Sequence, residues 1–263
     1  MRLVHPMVFG PVTKPEIDWS ETRRYLQEVG GESWADQRED ADLSDGDTLV
    51  EFGGRLCYRS WQPGLNANVT RVRTDQEDYL GNVLKSGHGS VTEHANYGFV
   101  FHNVSRVVTH ELVRHRAGAA YSQESLRFVR LTDIPFWFPE WAKDDRELFD
   151  RSMALLEQME DHQEWMAQHF GLDDEGVPFS EKKAKTSFMR RFAPIGVATG
   201  IFLTFNIRTI RHVIYMRTSL GAEEEIRLVC DQMAERMLAE CPGLMQDYSA
   251  NEDLEWVPSW LKV

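Results

Sequence analysis

Three arginines, a histidine and several hydroxyl and amide side chains lie close together in sequence near the middle of the chain. The set comprises Arg114, His115 and Arg116, followed by Ser122, Gln123, Ser125 and Arg127. Guanidinium groups bind phosphate and carboxylate oxygens in pairs, and hydroxyl and amide groups add directed hydrogen bonds. The segment is therefore typical of an anion site. Alternatively, two arginines at a helix end only complement the helix dipole and its terminal carbonyls. The residue types leave both interpretations open.

A second polar cluster directly follows an apolar stretch. Its members are Asn206, Arg208, Arg211, His212 and Arg217. On a helix, Arg208 and His212 share one side, whereas Arg217 falls on another side with aliphatic residues. A guanidinium among aliphatic side chains needs a partner, because burying an unpaired charge is costly. An anion or a polar heterocycle could be that partner. The alternative is that Asn206 is only a helix N-cap and the arginines form a solvated face.

Spacing excludes several familiar motifs. The string HELVRH places His110 and His115 five positions apart, which is roughly 140° around a helix, so they cannot share a face as the histidines of a zinc protease do. Gly87-His88-Gly89 does not complete GxGxxG, and no Walker lysine precedes Ser or Thr. We therefore expect no metal site. We also expect that side chains form the anion site, and not the glycine-rich loop of a GxGxxG or Walker motif.

Composition and charge exclude other classes of protein. The 42 acidic and 29 basic residues give a net charge of -13, which opposes binding to a nucleic-acid polymer. Cys57, Cys230 and Cys241 form no disulfide or zinc framework, so a reducing cytoplasm is expected. The N-terminus lacks a signal-peptide pattern, and the longest weakly polar run, 195–207, is shorter than the roughly 20 residues of a membrane helix. We expect no membrane association.

Hydrophobic periodicity predicts one α/β domain over residues 1–263. Helices are predicted at 15–30, 47–61, 74–85, 105–116, 145–169, 180–192, 206–218 and 223–238, and strands at 96–105, 126–131 and 196–205. The acidic stretch 33–46 is predicted to be a mobile surface loop, and 117–125 to be a loop between helix and strand. Cys57 falls near one helical face with Leu49, Phe52 and Leu56, which predicts that Cys57 is part of the core.

Four motifs in order give a family resemblance. They are RLCYRS, GHGSVTEH, VSRVVTHELVRHR and NIRTIRHVIYMR, within residues 47–245. Together they resemble the flavin-dependent thymidylate synthase family, ThyX. The resemblance implies a mixed central sheet flanked by long helices, and a homotetramer with shared active sites. It also implies a nucleotide-biosynthesis methyltransferase that uses FAD, NADPH and 5,10-methylenetetrahydrofolate to methylate dUMP, and UMP in some relatives, at C5 without a cysteine nucleophile.

The resemblance also assigns site residues. The implied FAD-binding set is His88, Ser90, Arg114, His115, Arg116, Gln123, Asn206, Arg208 and His212. The implied nucleotide-binding set is Glu111, Leu112, Arg114, Gln123, Glu124, Ser125, Leu126, Arg127, Arg190 and Arg217, with Arg191 as the alternative to Arg190. Arg217 matches the arginine that favours the ionised pyrimidine, which makes the ring more electron-rich at the carbon to be methylated.

One interval departs from the family pattern. The signature usually has seven residues between its RHR and its serine, whereas eight residues, AGAAYSQE, separate Arg116 from Ser125. The extra residue falls in the small AGAA segment, which predicts turnover of both UMP and dUMP. Two alternatives to the methylase stay open. One is a nucleotide-binding flavin oxidoreductase of the same fold, and the other is a non-catalytic flavin- or nucleotide-binding regulator.

Overall fold

The computed structural model describes residues 1–127 and 131–263. The helices are α1 Trp19–Val29, α2 Glu32–Arg38, α3 Asp45–Tyr58, α4 Gln76–Ser86, α5 Arg106–Leu112, α6 Glu140–Asp144, α7 Arg146–His169, α8 Phe179–Met189, α9 Ile207–Arg217, α10 Glu224–Glu240 and α11 Pro242–Met245. The strands are β1 Arg2–Leu3, β2 Met7–Thr13, β3 Asn96–Ser105, β4 Ala119–Gln123, β5 Pro135–Phe136, β6 Ala198–Asn206, β7 Tyr248–Ala250 and β8 Trp256–Pro258. Two 3-10 turns cover Gly89–His94 and Arg190–Phe192.

A four-stranded sheet with the order β2-β3-β6-β4 forms the largest β element of the described chain. Two smaller pairs are parallel β1-β5 and antiparallel β7-β8. The combination of long helices with these strands confirms the predicted α/β class. Most predicted helices, and the strands at 96–105 and 196–205, are present within a few residues of their predicted bounds. Residues 128–130 of the predicted strand 126–131 lie outside the described residues, and the described positions 126, 127 and 131 are not in a strand.

The described chain divides into two compact units. Unit 1 is Met1–Phe9, Val100–Arg114 and Tyr121–Phe202, and unit 2 is Gly10–Phe99, His115–Ala120 and Leu203–Val263. The prediction of one domain over the whole chain stays a prediction. No helix of the described residues is both long enough and apolar enough to cross a membrane.

The core of unit 1 forms around the 24-residue helix α7. Met166 and Ala167 of this helix pack with Leu172 and Met189. Leu156 of α7 belongs to a separate cluster, in which it packs with Phe138 and Ala142. Several apolar residues of α7 therefore face the core. The prediction of a wholly polar outer face holds only in part, because Gln163 is buried while Leu155 and Trp165 are exposed.

Unit 2 contains an aromatic cluster and a buried ionic network. Trp34 and Trp61 pack with Leu26 and Ala35. The indole of Trp34 also donates to Glu51 Oε1 at 3.0 Å. Glu51, which is fully buried, pairs with two arginines. Arg38 Nε lies 2.8 Å and Arg55 Nε 2.7 Å from its carboxylate oxygens. Several donors satisfy the buried carboxylate, so its desolvation is compensated.

The loop predicted over 33–46 is wrong at both ends, since residues 45 and 46 begin α3. Residues 33–38 belong to α2, in which Trp34, Ala35 and Arg38 are buried. The helix was not predicted from the acidic sequence, because its inward face combines one large aromatic ring with an arginine that pairs with Glu51. Such a face does not have the apolar pattern that sequence reading relies on.

Cys57 is exposed, so its assignment to the core is wrong. The buried face of α3 includes Val50, Glu51, Gly54 and Arg55. The ion pair between Glu51 and Arg55 occupies positions that a polarity pattern assigns to solvent. The true buried face is therefore rotated away from the face with Cys57.

The helix predicted at 105–116 ends at Leu112, and part of the following segment is the strand β4 rather than a loop. The side-chain burial of β4 alternates along AAYSQ, as expected for a strand with two different faces. Tyr121 of β4 donates its hydroxyl to the Leu112 carbonyl at 2.8 Å. This bond satisfies one carbonyl at the C-terminus of α5.

Candidate functional site

The first turn of α9 is fixed to the segment 115–120 within unit 2. Asn206 caps the helix, since its Oδ1 accepts from the backbone N–H of Thr209 at 2.9 Å. The Asn206 N–H donates to the Gly118 carbonyl at 3.0 Å, and the Thr209 hydroxyl donates to the Ala117 carbonyl at 2.6 Å. Gly118 has a positive φ of 62°. A Cβ there would lie 2.1 Å from Asn206 Nδ2, so the position requires glycine.

This anchoring brings His115 to Arg217 at the end of α9. Arg217 Nε donates to His115 Nε2 at 2.9 Å. The ring of His212 meets the ring of His115 edge to face, with centroids 5.6 Å apart. Burial, followed by the charge of Arg217 and the proximity of His212, lowers the pKa of His115 to about 4. His115 is therefore neutral near pH 7, and its Nε2 is a hydrogen-bond acceptor.

The sequence predicts that Arg217 needs a partner, and the neutral imidazole of His115 is one such partner. This hydrogen bond orients the guanidinium without cancelling its positive charge. A fixed cation of this kind stabilises negative charge that develops on a bound ring. His115, His212 and Arg217 come from two separate motifs, and the structure places them together in unit 2.

A cavity of about 400 Å³ also lies within unit 2. Its walls come from α3, α4, the glycine turn and α9, and they include Cys57, Tyr58, Tyr79, His88, Ser90 and Arg208. The rings of Tyr58 and His88 are nearly parallel, at 21°, with centroids 6.0 Å apart. Aromatic faces, a hydroxyl and a guanidinium in one cavity suit a planar ring system that carries phosphate groups.

Arg208 is held at this cavity by Glu93 and Gly89. Arg208 Nη1 lies 2.6 Å from Glu93 Oε1. A Cβ at Gly89 would come within 3.0 Å of the guanidinium of Arg208. The glycine therefore leaves room for the arginine, and the carboxylate of Glu93 orients it.

Another group of the predicted residues lies in unit 1, on α5, β4 and the turn that follows. Gln123 Nε2 donates to the Thr109 hydroxyl at 3.0 Å. Glu124 is tied to β6, because its Oε2 accepts from the Gly200 N–H at 2.8 Å and from the Thr199 hydroxyl at 3.3 Å. Ser125 Oγ accepts from the Arg127 N–H at 3.4 Å. These contacts fix the backbone of the predicted nucleotide loop.

Two predicted nucleotide-binding leucines are packing residues. Leu112 is fully buried, and Leu126 packs against the cluster of Leu131, Ile134 and Val197. At Leu112 only the backbone is available to a ligand, and its carbonyl already accepts from Tyr121. Glu111 is half-buried on the last turn of α5.

The remaining predicted arginines, Arg114, Arg116 and Arg190, are exposed, as is the alternative Arg191. Arg114 and Arg116 follow the end of α5. In the described part of the chain neither side chain hydrogen-bonds to a carbonyl of that helix. This geometry disfavours the interpretation that they serve only to cap α5. Arg211, in contrast, is buried and paired with Asp247, 2.7 Å away, so it is structural.

Sequence reasoning missed Tyr58, Tyr79 and Glu93 as candidate site residues. Tyr58 lies in RLCYRS and Glu93 in GHGSVTEH, so the signal was present in the motifs although no role was attached to either residue. Tyr79 lies outside every motif. Among the described residues, no group of three His, Cys, Asp or Glu side chains is arranged to hold a metal ion.

Comparison with known proteins gives consistent results. The family model "Thymidylate synthase complementing protein" matches residues 41–243. A flavin-dependent thymidylate synthase of Mycolicibacterium gilvum is 35% identical over 217 residues, covering 79% of this chain and 81% of the relative. One of Mycobacteroides abscessus is 33% identical over 248 residues, covering 90% and 85%.

A solved structure has a similar fold. It is the UMP/dUMP methylase PolB from Streptomyces cacaoi, bound with 5-Br UMP. The TM-score is 0.56 and the sequence identity 18%, with 78% of this chain and 89% of that chain covered. At this identity the likeness concerns the fold alone.

Proposed function

The chain belongs to the flavin-dependent thymidylate synthase family, and on that premise we propose that it methylates the C5 carbon of dUMP, and of UMP, without a cysteine nucleophile. The carbon donor is 5,10-methylenetetrahydrofolate, and the reductant is FAD reduced by NADPH. The hydrogen bond between Arg217 and His115, 2.9 Å long, is the observation that supports the reaction most directly.

Arg217 acts on the pyrimidine in this proposal. Its positive charge lowers the pKa of the bound base and favours the ionised ring, in which C5 is more nucleophilic. His115 positions the guanidinium. Because the pKa of His115 is lowered to about 4, it is a neutral acceptor near pH 7.

The state of the cysteines supports a route that needs no thiolate. Burial raises the pKa of Cys230 to about 12. Cys241 is buried as well, and donates its thiol to Asp47 Oδ1 at 3.0 Å. Thiolates are the nucleophilic form of cysteine, and burial suppresses them. Cys57 is exposed beside His88 and Ser90, so it is the thiol that an experiment must address.

The residues of the cavity in unit 2 fit a flavin. Arg208 and Ser90 can bind phosphate and hydroxyl groups, and the rings of Tyr58 and His88 can pack on a planar system. His115, Arg116, Asn206 and His212 complete the unit 2 residues proposed to bind FAD, and Arg114 and Gln123 those of unit 1. When bound and reduced, FAD supplies the hydride that converts the transferred one-carbon unit into a methyl group.

Unit 1 contains the larger set of residues proposed to bind the nucleotide. The unit 1 set is Glu111, Leu112 through its backbone, Arg114, Gln123, Glu124, Ser125, Leu126, Arg127 and Arg190. Ser125 and Arg127 are proposed to hold the phosphate group. A homotetramer with shared active sites, a single domain and a cytoplasmic location complete the proposal.

Tritium release from [5-³H]dUMP and [5-³H]UMP tests the function. We expect release that depends on both 5,10-methylenetetrahydrofolate and NADPH. NADPH oxidation without tritium release would instead indicate a flavin oxidoreductase. Binding of FAD and nucleotide without either activity would indicate a regulator.

A further inference from the structure

Arg217 is the last residue of α9, and Thr218 is the C-cap that follows it. The last turn of a helix has backbone carbonyls without partners inside the helix, so helix ends fray unless other groups hold them. The hydrogen bond to His115 fixes only the guanidinium end of Arg217. The position of its backbone end therefore depends on the contacts of Thr218.

Thr218 is 1% exposed, and each of its polar groups has a partner. Its N–H and its hydroxyl both donate to the Ile214 carbonyl, at 3.0 and 2.8 Å. The hydroxyl also accepts from the Trp256 N–H of β8 at 2.9 Å. The Thr218 carbonyl accepts from Arg227 Nε at 3.3 Å, and Arg227 Nη2 donates to the Asp253 carbonyl at 2.8 Å. Thr218 thus joins the end of α9 to the hairpin β7-β8.

The hairpin is itself anchored on both sides of this contact. The indole Nε1 of Trp256 donates to Asp231 Oδ1 of α10 at 2.8 Å. Glu255 Oε1 accepts from the Leu220 N–H at 2.8 Å. The other oxygen of Glu255 accepts from Asn251 Nδ2, also at 2.8 Å. These bonds fix the hairpin against residues 218–220, which lead away from α9.

Fixing Thr218 also fixes the direction in which the Arg217 side chain leaves the backbone. The peptide bond between the two residues is planar, so only the ψ of Arg217 and the φ of Thr218 remain between them. With its backbone held by Thr218 and its Nε held by His115, Arg217 is ordered before a ligand binds. A charge that is ordered in advance stabilises a developing anion better than one that must be ordered during the reaction.

We propose that the hairpin β7-β8 positions Arg217, and that Thr218 is the residue through which it acts. Thr218 contacts neither nucleotide nor FAD in this scheme, so it is a positioning residue. The kinetic consequence rests on the proposed function, because it assumes that Arg217 acts on the pyrimidine. The ordering of Arg217 against His115 does not depend on which substrate binds.

The kinetic test compares Thr218→Val, which has a similar shape but no hydroxyl, with Thr218→Ser, which retains the hydroxyl. The matched control is Thr48→Val, because Thr48 is another buried helical threonine of unit 2, and its hydroxyl accepts from Gln76 Nε2 at 3.1 Å. Tritium release from [5-³H]dUMP is measured per folded protein at saturating FAD. We expect kcat of Thr218→Val to fall roughly twofold to tenfold, as loss of one neutral hydrogen bond does. Thr218→Ser and Thr48→Val should stay near the parent.

A second measurement follows Arg217 directly and needs no turnover. In the FAD-loaded protein labelled with [¹⁵N]arginine, NMR gives the rate at which each arginine Nε–H exchanges with water. The Arg217 signal is assigned by its absence in Arg217→Lys. Because this N–H donates to His115 Nε2, we expect slow exchange in the parent and in Thr218→Ser and Thr48→Val, and faster exchange in Thr218→Val.

Parent values of both kcat and Nε–H exchange in Thr218→Val would overturn the inference, and so would an equal loss in Thr48→Val. If Thr218→Val does not fold, Glu255→Ala decides in its place, since it removes the acceptor of the Leu220 N–H, whereas Glu255→Gln retains one. A parent protein that releases no tritium, with faster Arg217 exchange in Thr218→Val, would refute the proposed function and leave the positioning role standing.

Discussion

Removing the acceptor that orients Arg217 should slow methylation even when the variant is saturated with FAD. In His115→Phe the ring persists but Nε2 is lost, whereas in His115→Gln an amide oxygen can take the place of Nε2. The hydrogen bond from the charged Arg217 Nε is 2.9 Å long and partly buried, and such bonds contribute about 1.5–3 kcal/mol. If that energy is expressed mainly in the transition state, His115→Phe lowers kcat/KM by roughly tenfold to a hundredfold.

Arg217→Lys should cost more, because it removes both the orienting bond and the planar fork. We expect kcat/KM to fall about 10²- to 10³-fold, the range found when one preorganised stabilising donor is removed. The double variant His115→Phe/Arg217→Lys should be no slower than Arg217→Lys alone, because His115 acts through Arg217. His115→Gln should recover most of the parent rate.

The assay is tritium release from [5-³H]dUMP at saturating FAD, with flavin absorbance and the melting temperature recorded for each variant. His110→Gln is the matched control, since His110 is exposed on α5 and has no assigned role. Additive losses in the double variant would refute the positioning role of His115. A His115→Gln protein as slow as His115→Phe, with FAD bound in both, would refute it as well.

Three further predictions concern stability and selectivity. Glu51→Gln should destabilise the fold by about 3–5 kcal/mol in urea unfolding, because it leaves Arg38 and Arg55 buried without their counter-charge, and the exposed-pair control Glu147→Gln should change little. The pKa of His115 is lowered to about 4 from an ordinary 6.5, so its contribution to stability is complete above pH 6.5 and is lost as the pH falls from 6.5 to 4. The parent should lose more stability over that window than His115→Gln, and parallel pH profiles would contradict this. Steady-state kinetics should show turnover of both UMP and dUMP, because a pocket that only tolerates an added hydroxyl rejects it weakly. Strict dUMP specificity would show that the extra residue in AGAA has no effect on selectivity for the sugar.

Periodicity and capping signals were sufficient for most helices and for the two long strands. Asn206, for example, precedes an amphipathic helix and caps it through Thr209. Gly87 ends α4 in the left-handed conformation, as its position in the sequence predicts. These features depend on residues close in sequence, so local patterns describe them well.

The wrong predictions for Cys57 and α2 have a different cause. In both cases charged side chains are buried because partners from other parts of the chain neutralise them. Glu51 and Arg55 occupy the inward face of α3, so the sequence pattern placed Cys57 in the core. Arg38 of α2 belongs to the same ionic network. Because this buried residue is charged and lies in an acidic stretch, the sequence pattern did not indicate a helix there. No local pattern reveals that such charges neutralise each other, because their pairing depends on long-range contacts.

In the candidate site, too, the sequence motifs identified some residues correctly and missed or misassigned others. The order of motifs found His115 and Arg217, which are far apart in sequence and hydrogen-bonded in the structure. It did not find Tyr79, which lines the cavity of unit 2 but lies outside every motif. It also gave a site role to Leu112, which is fully buried, because membership in a motif does not separate packing residues from contact residues.

A protein without cysteine shows whether the one-carbon transfer needs a thiol. The Cys57→Ala/Cys230→Ala/Cys241→Ala protein, loaded with FAD, is incubated with dUMP, NADPH and ¹³C-methylene-labelled tetrahydrofolate, and the nucleotide is analysed by mass spectrometry. We expect a C5-methylated nucleotide containing one ¹³C atom, formed at a rate near that of the parent. A folded, FAD-loaded triple variant that forms no methylated nucleotide while the parent does would contradict this expectation.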